Sequence, residues 1–243
     1  MKKIILSLLF FPLAALGAEA GYPLDDSPSD VRDLVSLQSG ARTYVNYCLG
    51  CHGAQYVRYK SLTEIGLTEA QIRDNLLFSA EKIGESMSTV LDPKDAKAFF
   101  GVVPPDLSLI ARSRSPDWIY TYLKSFYKDP STKSGWNNSL FPNVAMPHVL
   151  WEYQGDQRLA IDERVDSLTG DKVQTRHLVM DRPGRMSAVE YDQYLGDLVN
   201  FLSYMSEPSQ AWRKQWGVLV LFFLAGFFVL ALLLKKEFWK DVR

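Results

Sequence analysis

The chain has 243 residues, 47% of them hydrophobic, with 27 Lys and Arg against 28 Asp and Glu. A net charge of −1, with no basic run outside the flanks of an apolar C-terminal stretch, gives no electrostatic footprint for nucleic acid. Two cysteines and no internal repeat or low-complexity tract point to one domain of roughly 190 residues between two apolar ends, a size that suits a single core.

The elements follow in chain order. Met1-Lys2-Lys3 is a short positive region, Ile4 to Leu16 is an apolar run, and small residues cluster at Ala14, Ala15, Gly17, Ala18 and Ala20. This pattern predicts a secretory signal peptide over 1–20; an uncleaved anchor is the alternative. Ser36 is the expected cap of a helix whose apolar face is Leu37, Ala41, Tyr44 and Val45. That helix runs into Cys48-Leu49-Gly50-Cys51-His52, which holds both cysteines of the chain. C-x-x-C-H is the attachment signature of c-type haem: two thiols add to the porphyrin vinyl groups, and the adjacent imidazole reaches the iron. The alternatives are a redox dithiol or a zinc site, but His148 and His177 are isolated and no strand precedes the motif. Gly50 and Gly53 are expected to let the backbone turn close to the macrocycle.

Thr68 to Leu77 predicts a second helix with Ile72, Leu76 and Leu77 inward, and Trp118 to Tyr127 an aromatic third. Phe141-Pro142-Asn143-Val144-Ala145-Met146-Pro147 is a stiff irregular loop able to present a thioether without helix geometry. The sixth iron ligand is open on these grounds among Met87, Met146, Met180, Met186, Met205, His148 and His177. Met205 lies on a helix face where core filling is usual, and Met87, Met180 and Met186 are expected in polar surroundings without a framing motif; His148 competes with Met146. Asp156 to Pro183 contains two β-leaning runs around a turn at Leu168-Thr169-Gly170-Asp171, a predicted surface hairpin. Ser187-x-x-Glu190 is a capping box, followed by Tyr191, Tyr194, Leu195, Leu198, Leu202 and Met205 at helical spacing and closed by Pro208.

Trp216 to Leu234 carries no charge and is about 28 Å long as a helix, close to the roughly 30 Å hydrocarbon core. Lys235, Lys236, Lys240 and Arg243 follow it, against Arg213 and Lys214 before, and Trp212, Trp216 and Trp239 flank it. The predicted organisation is a signal peptide at 1–20, a periplasmic haem domain at 21–211, a transmembrane anchor at 212–236 and a cytoplasmic tail at 237–243.

The run Ser36-Leu37-Gln38-Ser39-Gly40-Ala41-Arg42, then Tyr44 through His52 and Ala54-Gln55-Tyr56-Val57-Arg58-Tyr59, closely resembles the haem-attachment region of the cytochrome c1 family. Pro104-Pro105-Asp106-Leu107-Ser108 with Ile110, Arg112 and Arg114, the Ala145-Met146-Pro147 loop and the single C-terminal span match further family segments in the same order. The resemblance, of the bacterial type, implies a mainly α, class I cytochrome c-like haem domain with a small surface β-hairpin and one C-terminal transmembrane helix. It implies one haem c bound through Cys48 and Cys51, with His52 and Met146 as axial ligands, Pro104 and Pro105 packed against it and Arg114, or else Arg112, on a propionate. It further implies a dimeric ubiquinol–cytochrome c reductase (cytochrome bc1 complex) in the bacterial inner membrane. There the chain would take electrons from the Rieske iron–sulfur protein beside the cytochrome b subunit and pass them to a cytochrome c. Three features depart from the family's longer members: a compact 82–101, an extended 156–183, and His148 where a more apolar residue is expected. Acids at Asp25, Asp26, Asp30 and Asp33 are candidates for steering a basic acceptor. Rival readings are a tethered dithiol oxidoreductase, a haem enzyme with an open sixth position, and a tethered haem carrier serving another oxidase or reductase.

Overall fold

The computed structural model describes residues 22–165 and 172–241, so the predicted signal peptide and the predicted turn at Leu168–Asp171 lie outside the described residues. Helix α1 spans Leu34–Tyr47 and is capped by Asp33, whose carboxylate accepts from the backbone N–H groups of Val35 and Ser36. The expected cap, Ser36, is already inside the helix, and its hydroxyl takes a hydrogen bond from Asn200 Nδ2 at 3.0 Å. An aspartate at this position both caps and complements the positive end of the helix. The predicted inner face holds: Leu37, Ala41, Tyr44 and Val45 are all buried.

Strand β1 (Ala54–Arg58) follows the pentapeptide and pairs antiparallel with β2 (Ser86–Met87), Ala54 opposite Met87. Between them lie a 3₁₀ helix over Tyr59–Ile65 and helix α2 (Glu69–Asn75). Helix α2 starts at a Thr68–Gln71 capping box and buries Ile72. Then come α3 (Pro93–Phe100), α4 (Ile110–Arg114) and α5 (Pro116–Lys124). Neither α3 nor α4 was legible as a helix. Each buries one residue, Ala96 or Ala111, so neither carries an apolar period. Helix α5 stops before the expected Tyr127, because Phe126–Lys128 leaves it as strand β3 and pairs with β4 (Trp136–Asn138).

A short helix, α6 (Trp151–Gln154), leads into the antiparallel ribbon of β5 (Gly155–Val165) and β6 (Lys172–Pro183), which pairs Gly155 with Pro183 and Val165 with Lys172 and shifts register by one residue between Asp156 and Gln157. This is the predicted surface hairpin. Helix α7 (Ala188–Ser206) opens on the predicted Ser187–Glu190 capping box. It buries Tyr191, Leu195, Leu198, Leu202 and Met205.

The core is built on α1 packed along α7, with Tyr44 and Phe201 rings 5.8 Å apart. Gly40 sits where the helices meet, and a Cβ there would lie 2.0 Å from the Asp197 carbonyl oxygen. A second small cluster of Phe126, Trp136 and Val144 lies beside this core. Helix α8 (Gln210–Phe238) has 29 residues and buries none of them in the domain. By length and composition it is able to cross a membrane.

Candidate haem site

The pentapeptide lies at the C-terminal end of α1, where the Cys51 and His52 N–H groups both donate to the Cys48 carbonyl, at 3.0 and 2.8 Å. Tyr44, four residues back on the helix, donates its hydroxyl to the His52 carbonyl at 2.9 Å. The turn therefore holds itself without help from a left-handed glycine. A Cβ at Gly50 would meet no protein atom within 4 Å, while one at Gly53 would lie 3.3 Å from Thr89 N and 3.5 Å from the Asp106 carboxylate.

The Pro-Pro-Asp-Leu-Ser segment is fastened to His52 and the residues just after it by four hydrogen bonds. Leu107 N donates to Gly53 O at 2.8 Å, and Gln55 N to the Asp106 carboxylate at 2.8 Å. Tyr56 N donates to Ser108 Oγ at 3.1 Å, and His52 Nδ1 lies 2.8 Å from the Pro105 carbonyl oxygen. A ring nitrogen facing a carbonyl carries the proton, so Nε2 keeps its lone pair. Burial lowers the His52 pKa despite the opposing Pro105 carbonyl and Asp106 charge. The imidazole is thus held neutral, the form in which Nε2 is free to bind a metal.

These segments border a cavity of about 790 Å³. Cys48, Cys51, His52, Pro104, Pro105, Arg114 and Met146 all line it, and the rest of its wall is mainly apolar. The volume lies in the range of sites that enclose an organic cofactor. Two thiols, a neutral imidazole, a thioether and one cation in an apolar hollow form a donor set that fits haem c. The other ligand candidates lie elsewhere. Met205 is buried in α7, and Met87 is fully buried in the core, against the expectation of polar surroundings. Met186 also packs on the core, while Met180 and His177 are exposed on the hairpin.

His148 is 2% exposed but stacks on Phe126, centroids 5.0 Å apart at 2°, and meets Trp136 edge-on at 5.1 Å. Burial pulls its pKa down to about 4, so it serves the second cluster as a neutral aromatic. Of the two arginines, Arg114 lines the cavity with its guanidinium over the Trp118 ring at 5.0 Å. Arg112 turns to Glu207 at 3.6 Å. Among the steering candidates, Asp33 caps α1, Asp30 pairs with Arg32 at 2.8 Å and Asp25 with Lys124 at 3.0 Å. The acid that borders the cavity is Asp106.

Three residues escaped the sequence reading. Asn138 Nδ2 donates to Tyr122 O at 2.7 Å, while its Oδ1 accepts from the N–H groups of Leu140 and Phe141, both at 3.0 Å. Asn137 Oδ1 accepts from Asn143 N at 2.8 Å. Two buried amides thereby anchor the loop that carries Met146. The third is Tyr122, whose hydroxyl donates to Met146 Sδ at 3.5 Å and whose phenol pKa burial raises. The one available signal was two consecutive asparagines just before the loop.

Burial also pushes the Cys48 thiol up to about 12, with Cys51 adding in the same direction. A dithiol catalyst needs the opposite shift, because the thiolate is the nucleophile.

A family model described as the Cytochrome C1 family matches residues 26–175 and 182–242. The chain is 46% identical to cytochrome c1 of Allochromatium vinosum over the whole of both chains. It is 45% identical to a protein of Nitrosomonas europaea named ammonia monooxygenase gamma subunit, over all of this chain and 98% of that one. With cytochrome c1 of Rhodospirillum rubrum the identity is 28%, covering 87% of this chain and 83% of the relative. A family match across nearly all described residues, on a fold that gathers the attachment motif and the methionine loop at one cavity, places the chain in the cytochrome c1 family.

Proposed function

We propose that this membrane-anchored c-type cytochrome of respiratory electron transfer, the electron-transfer subunit of ubiquinol–cytochrome c reductase, takes electrons from a Rieske iron–sulfur protein and passes them to a cytochrome c. The observation that carries the reading is the convergence of Cys48, Cys51, His52 and Met146 on one apolar cavity. Cys48 and Cys51 would attach a single haem c, and His52 Nε2 and Met146 Sδ would hold its iron. Bound haem supplies a one-electron iron couple that cycles without making or breaking a substrate bond.

The protein's own contributions follow from the geometry. The Pro105 carbonyl orients His52 and makes its Nε2 the donor. The apolar wall keeps water from the site and disfavours the more charged ferric state. Arg114 provides a cation at the cavity for a carboxylate, with Trp118 under its guanidinium. Helix α8 holds the domain at the membrane beside its donor. The Lys235, Lys236 and Lys240 flank supports a cytoplasmic tail and a periplasmic haem domain at a bacterial inner membrane. A signal peptide at 1–20, anchor at 212–236 and partnership with cytochrome b and Rieske subunits in a dimeric complex complete the proposal.

The name of the Nitrosomonas relative favours a second reading, in which the same haem domain serves a different membrane enzyme. Purifying the chain from its native membrane with a mild detergent separates the two. Copurification with a b-type cytochrome and an iron–sulfur protein, and reduction by quinol, supports the first reading. Copurification with a monooxygenase and no quinol-dependent reduction supports the second.

A further inference from the structure

The methionine loop is tied to one residue of α5 from two sides. The Tyr122 carbonyl accepts from Asn138 Nδ2 at 2.7 Å, and its hydroxyl donates to Met146 Sδ at 3.5 Å. The Tyr122 ring itself has little freedom. It stacks on Trp118 with centroids 5.0 Å apart and 10° between planes, and Phe126 meets it edge-on at 5.1 Å. Trp118, Tyr122 and Phe126 recur at intervals of four, so the clamp is built into the last turns of α5 and the first residue of β3.

We propose that Tyr122 is a positioning residue for Met146, which orients the thioether and sets the redox potential of the site upward through its hydroxyl. The inference rests on the reading of Met146 as an axial ligand. A thioether sulfur has two lone pairs; one is available to iron and the phenol occupies the other. A donor on sulfur draws electron density from it, so it gives less to the iron. Ferric iron loses more from that than ferrous iron, and the reduced state gains relative to the oxidised one. Tyr122 thus acts on the iron only through Met146, and the rigid aromatic clamp keeps the donor aimed in both oxidation states.

The test is a redox titration of the full-length, membrane-bound protein, with the far-red ferric band of methionine-ligated haem as the check on ligation. Three forms are compared: unaltered protein, Tyr122→Phe, and site-specific Tyr122→fluorotyrosine, whose more acidic phenol is the stronger donor. The midpoint falls in Tyr122→Phe and rises in Tyr122→fluorotyrosine, with the band retained in all three. A merely structural tyrosine does not produce shifts of opposite sign. An unchanged potential in Tyr122→Phe, or shifts of the same sign in both variants, overturns this inference alone. Absence of the band from the unaltered protein overturns the Met146 reading and this inference with it.

Discussion

Only Pro147 separates Met146 from His148, and in the bare sequence either side chain is a candidate ligand. What separates them is partly side-chain chemistry and partly the turn at Pro147. Met146 lines the cavity, while His148 is carried past it into the stack with Phe126 and Trp136. A buried imidazole held near pKa 4 is neutral throughout the physiological range, so it fills space as an aromatic. Replacing it with another flat ring should therefore leave the iron alone. His148→Phe is expected to keep covalent haem and the methionine-to-iron band, with stability within about 1.5 kcal/mol of the original, as for other volume-conserving swaps. A spectrum and a thermal melt of that variant check both parts. Arg112 and Arg114 show the same limit of one-dimensional reading. The two are indistinguishable in sequence, yet one meets Glu207 and the other reaches the cavity.

At the scale of elements, the α1–α7 pair organises the site, because the attachment motif begins where α1 ends. The pair approaches closely at Gly40, where an added Cβ would lie 2.0 Å from the Asp197 carbonyl oxygen and 2.7 Å from Phe201 Cβ. Backbone cannot move aside as a flexible side chain does. Gly40→Ala is expected to destabilise the domain by at least the upper part of the about 1–3 kcal/mol typical of overpacking, read as a lowered thermal midpoint. Elements with strong local chemistry were the legible ones. The inner face of α1, the capping box of α7, the β5–β6 ribbon and the apolar α8 each follow from periodicity, capping or length. The small β1–β2 and β3–β4 ladders, α3 and α4 were not. Their few paired residues and single buried side chains leave no period to detect, and long-range contacts set them in place. The Met146 loop was legible as a loop. Its anchoring by Asn137 and Asn138 was not, since an asparagine pair reads equally well as an exposed turn.

At the scale of the molecule, the chain divides into a packed domain and a helix that buries no residue against it. Helix α8 contributes no buried residue, and the core closes around α1 and α7 without it. Ending the chain after Pro208 is therefore expected to release a water-soluble domain with its haem spectrum intact. Fractionation followed by spectroscopy of the supernatant checks this; a domain that loses haem or precipitates would mean that α8 supports the fold. The family model leaves residues 176–181, inside β6, unmatched, so part of the ribbon falls outside the matched segments. The cavity lies in the matched part of the chain.

The most direct test of the central claim is an absorption spectrum of the membrane-bound protein, with its pyridine haemochrome, for the unaltered chain and for Met146→Leu. A c-type haemochrome in both, and a far-red ferric band present in the first and lost in the second, is the result expected of a His52–Met146 electron carrier. A band that survives Met146→Leu would move the sixth ligand elsewhere, and the absence of covalent haem would contradict the account altogether.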